Sequence, residues 1–328
     1  MSHLSALRER VSSEVKEGEP LAKHTTFKIG GAAEYFFEAK NADDAVRAVR
    51  VAGELGIPLF LFGGGSNMLV SDRGVTGLVI KMANRGFVIE GNVITAEAGA
   101  PTGLVSMRAS EAGLTGFEWA VGVPGTVGGA IRGNAGAYGG EMKDSVISVR
   151  AYKDGQVVTL RNADCGFGYR DSAFKRNAGW FVLSATLELK LAADAEASKA
   201  QLRKNLLDRK EKQPVEFSTA GCMFTNWRPE RPEQLAGMRK WFDLDKDEKV
   251  PLTSQGTIPA GWIIDRAQLK GTKVGHVQVS EKHGNFFVSD GQAKADDVVA
   301  LTAVLKTRIR NMTDGNVQLQ EEVEYVGF

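Results

Sequence analysis

Two stretches of the chain concentrate glycine beside small hydroxyl and amide residues. "GGGSN" comprises Gly63, Gly64, Gly65, Ser66 and Asn67. "GVPGTVGGAIRGNAGAYGGE" runs from Gly122 to Glu141 and holds eight glycines in twenty positions. Glycine inside an element costs chain entropy and offers nothing to pack, so this density needs another reason. Backbone approaches a phosphate closely only where side chains are absent, and successive N–H groups then form an anion-binding nest. Ser66, Asn67, Thr126 and Asn134 add polar side chains to the two runs. Two phosphate-binding loops suggest a dinucleotide or a large diphosphate ligand; tight turns in a compact chain are the plainer alternative. No G-x-G-x-x-G opens a helix after a strand, and no G-x-x-x-x-G-K-[ST] occurs, so neither a Rossmann site nor a P-loop is indicated.

Four further stretches carry reactive groups. "FGYRDSAFK" sets Arg170 between Tyr169 and Asp171, either as a surface cation paired to Asp171 or as a buried one aimed at a carboxylate or a flavin edge. "STAGCMFTNW" puts Cys222 after Ala-Gly, where a thiol can lie at an uncluttered turn, although a free cysteine is usually a small buried hydrophobe. "QVSEKHGNFFV", with Lys282 and His283, is dense in polar groups between strand-like residues. In "VQLQEEVEYVGF", Glu322 falls in an alternating strand and by itself reads as part of a solvated face.

These residues must be held by elements legible in the pattern. A helix is expected over 41–58, capped by Asn41, with Asp43 and Asp44 at its positive end and Gly56 and Pro58 stopping it. "LFLF" (59–62) is a buried strand feeding "GGGSN", and "LVIKM" (78–82) is another. Hairpins are expected to turn at Gly91-Asn92 and at Asp154-Gly155. A helix covers 101–114 and a strand 181–191. Beyond a charged helix at 193–214, helices lie near 231–242, 259–268 and 293–311, with strands near 276–288 and 317–326. Residues 1–23 read as an amphipathic leader helix. Strands separated by helices, with hairpins inserted, point to α+β lobes rather than one doubly wound sheet.

Bulk properties exclude several classes. At 328 residues the chain suits two domains. A net charge of +1 gives no field to draw it to nucleic acid or anionic lipid. Two cysteines make no disulfide framework, and four scattered histidines give no metal-ligand spacing, so no metal is expected. With no apolar run of membrane length and no signal peptide, a cytoplasmic protein without a membrane partner is expected, as a monomer.

Taken together and in this order, the motifs resemble one family. "HTTFKIGGAAEYF" (24–36), "LFGGGSNMLVSD" (61–72), the long glycine run, "FGYRDSAFK", "AGCMFTN", "AGWIIDRAQLKG" (260–271), "VSEKHGNF" and "EEVEYVG" are similar to those of the UDP-N-acetylenolpyruvoylglucosamine reductases, over about 25–328. The resemblance implies an α+β chain. A helical leader (1–26) precedes an FAD-binding module of the vanillyl-alcohol-oxidase type (27–195, subdomains about 27–85 and 86–195). An α+β substrate domain (205–328) follows. It implies FAD held by Gly63, Gly64, Gly65, Ser66, Asn67, Gly122, Gly125, Thr126, Gly128, Gly129, Asn134 and Gly136, with NADPH as reductant and UDP-N-acetylglucosamine-enolpyruvate as substrate. Arg170 matches the family's active-site arginine and Glu322 its C-terminal glutamate. Cys222 stands where most members carry the proton-donating serine. Lys212 and Asn226 fall where the substrate diphosphate is met, Lys212 also reading as an ordinary solvated helix end. Lys282 and His283 fall where substrate or nicotinamide is met. Arg132-Gly133 replaces larger apolar residues, and the chain looks like the shorter subtype without an extra Tyr-bearing loop. An FAD oxidase of the same fold would lack "AGCMFTN" and "VSEKHGNF". A non-catalytic nucleotide-sugar sensor would not need three competent catalytic positions.

Overall fold

The computed structural model describes residues 2–245 and 247–328. The chain divides into two compact units. The first comprises Met1–Pro20, Ala32–Gly65 and Val75–Glu211; the second comprises Leu21–Gly31, Ser66–Gly74 and Lys212–Phe328. Each has its own apolar core. One is built around Phe37, Ile80, Ile94, Phe117, Val149 and Leu183. The other is built around Leu69, Phe224, Ile263, Phe287, Leu301 and Leu305. The fold is α+β.

The first unit holds two larger sheets and two short two-stranded ladders, Gly136–Ala137 with Gly140–Glu141 and Leu114–Thr115 with Lys190–Leu191. A mixed sheet has the order Lys16–Pro20, Ala32–Ala39, Val75–Met82, Leu59–Phe62. Its first pair is antiparallel and the other two pairs are parallel. The expected helix over Asn41 forms as Ala42–Glu54, with the Asn41 side chain accepting from the Asp44 N–H at 2.8 Å. It buries Ala45, Val46, Ala48, Val49, Val51 and Ala52, and Gly56 at φ +64° turns the chain out of it. The second sheet is antiparallel, in the order Gln156–Arg161, Val146–Lys153, Phe181–Glu188, Val93–Glu97, Phe87–Glu90. Its hairpins turn where the glycines predict. Asp154 and Gly155 both have positive φ, the geometry that keeps hairpin strands in step with their right-handed twist.

The leader differs from expectation. Helix covers only His3–Arg10, and Lys16–Pro20 is a strand paired to Ala32–Ala39. Gly18 at φ +68° and Pro20 cannot continue a helix, and the strand's partner lies outside the window that a local pattern samples. The helix Ala195–Lys212 forms as expected. Its buried residues are Ser198, Leu202 and Asn205, so polar contacts anchor it. The Ser198 hydroxyl donates to the Glu118 carboxylate at 2.6 Å, and Asn205 Nδ2 donates to the Glu118 carbonyl at 3.0 Å. Burial pushes the Glu118 carboxyl up, but the Ser198 and Thr115 hydroxyls and the Glu118 and Gly116 N–H groups together hold it below its ordinary pKa.

In the second unit, Lys273–Val274, Val277–Val279 and Phe287–Ser289 form an antiparallel sheet. The strand expected over 317–326 is regular only at Glu324–Val326, which pairs in parallel with Met68–Val70. Among the described residues no helix is long and apolar enough to cross a membrane, and no cluster of three or more His, Cys, Asp or Glu side chains could hold a metal.

Candidate active site

The two glycine runs meet inside the first unit. A Cβ on Gly63 would collide with the Thr126 hydroxyl, and one on Gly64 would lie 2.8 Å from Gly125 Cα. A Cβ on Gly128 would lie 2.8 Å from that of Ala98, so the short helix Val127–Arg132 seats directly on backbone, with Gly128 N–H donating to the Ala98 carbonyl at 2.9 Å. Gly65, Gly122 and Gly125 occupy left-handed conformations that favour glycine. Beyond its glycines the cradle carries two buried hydroxyls, Thr126 Oγ1 and Thr102 Oγ1, with no hydrogen-bond partner. They flank Gly125, whose carbonyl accepts from the Thr102 N–H. A buried hydroxyl left without a partner costs about 1–3 kcal/mol, and an anionic oxygen brought between the runs supplies the missing acceptor. The residues therefore fit FAD at its pyrophosphate. Thr102 escaped the sequence reading because only its packing against Gly125 marks it.

Asn134 and Gly136 act differently. Asn134 is fully buried, its Nδ2 donating to Glu141 Oε2 at 2.7 Å and to the Gly168 carbonyl at 2.8 Å, and its Oδ1 accepting from Lys143 N–H at 3.0 Å. All these polar groups are engaged by the protein, and they fix the turn that bears Arg170. In that turn Gly168 and Asp171 exchange backbone hydrogen bonds, which leaves Tyr169 and Arg170 at its tip. Arg170 is half-buried at φ +53°, a strained conformation for a side chain of its size. Its Nη2 donates to the Gly136 carbonyl at 3.0 Å. Asp171 pairs with Arg176 instead, which removes the reading of Arg170 as the surface partner of its neighbour.

In the second unit the segment carrying Cys222 runs between two others. Cys222 bridges Phe286, and Met223 N–H donates to the Asn285 carbonyl at 2.8 Å. On the other side, Met223's carbonyl accepts from Glu322 N–H at 2.8 Å, and Phe224 bridges Glu321. Cys222, a hundred positions before Glu322, thereby stands one residue from Met223, the hydrogen-bond partner of Glu322. Cys222 and Glu322 are both half-buried. Asn67 Nδ2 donates to the Glu322 carbonyl at 3.1 Å, so this side chain holds the terminal segment. The Ser66 carbonyl lies 4.0 Å from where a Gly221 Cβ would be, against the turn that precedes Cys222. Asn285, missed in the sequence, is the clamp: its Oδ1 accepts from Phe224 N–H at 2.9 Å and its Nδ2 donates to the Phe224 carbonyl at 2.8 Å. The other thiol, Cys165, is fully buried, and desolvation with the nearby Asp164 pushes its pKa up to about 11. It stays a protonated packing group.

Of the remaining predicted residues, Asn226 and His283 both lie against the start of the helix Ala260–Arg266, at Ala260 and Gly261. Lys212 is exposed at the end of its helix. Asn226 Oδ1 accepts from Ala260 N–H at 3.4 Å. Lys282 lines a cavity of about 290 Å³ with Phe217, Lys273, His276 and Asp290, whereas His283, Cys222 and Glu322 do not. His283 packs its ring on Phe286 and accepts at Nδ1 from Asn285 N–H at 3.2 Å, which leaves Nε2 as the N–H donor of a neutral imidazole. Burial first, and then the Lys270 charge, pull its pKa below the usual 6.5. The unfolded chain therefore binds the proton more readily than the folded one. The stability linked to His283 is complete above about pH 6.5 and is lost as pH falls through the lower folded value. The urea midpoint is expected to fall as pH drops from 6.5 to 5, and His283→Gln to flatten that fall; equal slopes would refute the assignment.

Comparison with known proteins agrees with this geometry. Residues 33–161 match the profile of the FAD binding domain, and residues 213–326 that of the UDP-N-acetylenolpyruvoylglucosamine reductase C-terminal domain. The reductase of that name from Synechococcus sp. (strain JA-3-3Ab) is 35% identical over 321 residues, 97% of this chain and 93% of that protein. The one from Lachnoclostridium phytofermentans is 35% identical over 332 residues, 99% and 97% of the two chains. The crystal structure of the Thermus caldophilus enzyme superimposes with a TM-score of 0.73 at 31% identity, covering 95% of this chain and 98% of that one. Agreement over both halves, together with a cradle that fits FAD, makes this protein an FAD-dependent oxidoreductase. The chain belongs to the UDP-N-acetylenolpyruvoylglucosamine reductase family.

Proposed function

We propose that the protein reduces UDP-N-acetylglucosamine-enolpyruvate to UDP-N-acetylmuramate, a peptidoglycan precursor, with NADPH as reductant. The observation that carries this is the register placing Cys222 and Glu322 on adjacent segments, through the Met223–Glu322 hydrogen bond. Bound FAD supplies hydride transfer from NADPH to C3 of the enolpyruvyl ether. The protein's residues must hold the substrate carboxylate, support the enolate that develops as C3 gains hydride, and protonate C2.

Arg170 binds the carboxylate and carries its growing charge. With Nη2 donating to the Gly136 carbonyl, its planar guanidinium has the fork geometry that grips a carboxylate through two parallel bonds. Cys222 gives its Sγ proton to C2, completing a CH₃–CH unit from the CH₂=C group. The thiolate left behind is less costly than the alkoxide of a serine and regains its proton from solvent. Glu322, with its backbone fixed on both sides, supports the enolate oxygens. Asn134 and Asn67 serve as positioning groups, Asn134 for the Arg170 turn and Asn67 for the Glu322 segment. The Gly63–Gly65 and Gly122–Gly129 backbones with Thr126 hold the cofactor. Lys212 and Asn226 meet the substrate diphosphate; Lys282 and His283 contact substrate or nicotinamide.

The test is an anaerobic spectrum of the purified protein. NADPH is expected to bleach the flavin band, and the enolpyruvyl substrate to restore it at once. A band that stays bleached until oxygen is admitted overturns the substrate and leaves an oxidase.

A further inference from the structure

Tyr138 breaks the rule for its position. The hairpin Gly136–Glu141 closes through Gly136 with Glu141 and Ala137 with Gly140, leaving a two-residue tip of Tyr138 at φ +50° and Gly139 at φ +85°. Such a tip calls for positive φ at both residues, which Asn-Gly satisfies and a tyrosine resists. Packing does not explain the choice, because 45% of Tyr138 remains exposed. What distinguishes tyrosine here is reach: its hydroxyl lies 3.1 Å from both the Asn205 carbonyl and Asp208 Oδ2, on the helix Ala195–Lys212. That helix is itself fixed by Asn205 and Ser198 to Glu118. An unfavourable backbone state held by a specific contact is a reason to look for function.

The hairpin that Tyr138 pins is the one from which Arg170 hangs. Gly136 supplies the carbonyl that accepts from the guanidinium, and it must lack a side chain because a Cβ would lie 2.6 Å from the Gly140 carbonyl. Glu141, across the hairpin, accepts from Asn134 Nδ2, which also holds the Gly168 carbonyl of the Arg170 turn. Both the base and the head of Arg170 are therefore referenced to the same four-residue ladder. We infer that Tyr138 is a positioning residue: its hydroxyl locks the hairpin to the helix and so fixes where the Arg170 guanidinium meets the substrate carboxylate. This rests on the reductase reading above.

The test uses Tyr138→Phe and Tyr138→Asn in the FAD-loaded enzyme and follows the two half-reactions separately. FAD content and the rate of bleaching by NADPH are expected to match wild type. Reoxidation by the enolpyruvyl substrate is expected to slow about tenfold in both, as a guanidinium displaced by a fraction of an ångström would give. Tyr138→Asn, which suits the left-handed tip, is expected to melt no lower than wild type. Reoxidation within twofold of wild type in both variants would overturn the inference. So would loss of FAD with equal slowing of both half-reactions, or a lowered melting point in Tyr138→Asn, either of which makes Tyr138 a fold-supporting residue. Failure of the wild type itself to be reoxidised by the substrate is a separate result, and it removes the reductase reading along with this one.

Discussion

Arg170→Met is expected to slow flavin reoxidation by the enolpyruvyl substrate about a thousandfold while leaving bleaching by NADPH intact. The figure follows from what a fixed donor aimed at developing charge is worth, about 10²–10³ in rate, with the added loss of carboxylate binding. The side chain is prepared for this. It sits at φ +53°, its neighbour Asp171 is taken by Arg176, and its carbonyl accepts from Lys175 Nζ at 2.9 Å. Arg170→Lys should recover little, because a single ammonium cannot reach Gly136 and also grip a carboxylate with two parallel bonds. Stopped-flow reoxidation of pre-reduced enzyme measures the effect. A methionine variant within tenfold of wild type would show that Arg170 bears no charge in the reaction.

Cys222→Ala and Cys222→Ser should separate cleanly. Loss of a positioned general acid costs about 10²–10⁴ in rate, so the alanine variant is expected to bleach normally and to be reoxidised at least a hundredfold more slowly. The serine variant should retain substantial turnover. Its smaller oxygen occupies the same turn after Gly221, itself at φ +82° and braced by the Thr219 hydroxyl at 3.2 Å. Both variants keep the Met223 hydrogen bonds to Asn285 and Glu322, which are backbone contacts, so a folding defect is not the expected cause of either result. Normal reoxidation in the alanine variant would move the proton to another group.

What was legible in the sequence was what is decided locally. The two hairpin turns, the Asn41 cap and the helix ends at Gly56 and Pro58 each depend on residues within one turn of each other. The glycine runs read as a ligand cradle because eight glycines in twenty positions exceed what turning requires, and the close packing of Gly63 and Gly64 on Thr126 and Gly125 is a further reason for glycine there. Side-chain assignments inside the cradle were less so. Asn134 and Asn67 read as donors for phosphate, yet the first ties the Arg170 turn to Glu141 and the second holds the Glu322 carbonyl. An amide beside glycine has the same signature in either role, and only its distant partner tells them apart. Asn285 and the strand Lys16–Pro20 were missed for the same reason: the first clamps Phe224, 61 residues away, and the second pairs with a strand beyond Gly30 and Gly31.

Asn67 and Glu322, joined by one hydrogen bond, are 255 residues apart in the chain, and this separation sets a schedule. At a synthesis rate of roughly 5–20 residues per second, the strand Met68–Val70 leaves the ribosome tens of seconds before Glu324–Val326 exists to pair with it. All three of its residues, Met68, Leu69 and Val70, are buried in the finished protein, so the nascent chain carries an apolar, unmatched edge for that interval. Contacts this remote also make for slow closure. The pairing that carries the terminal segment is thus among the last that synthesis permits, and until then the early strand is an unpaired apolar edge of the kind that favours aggregation.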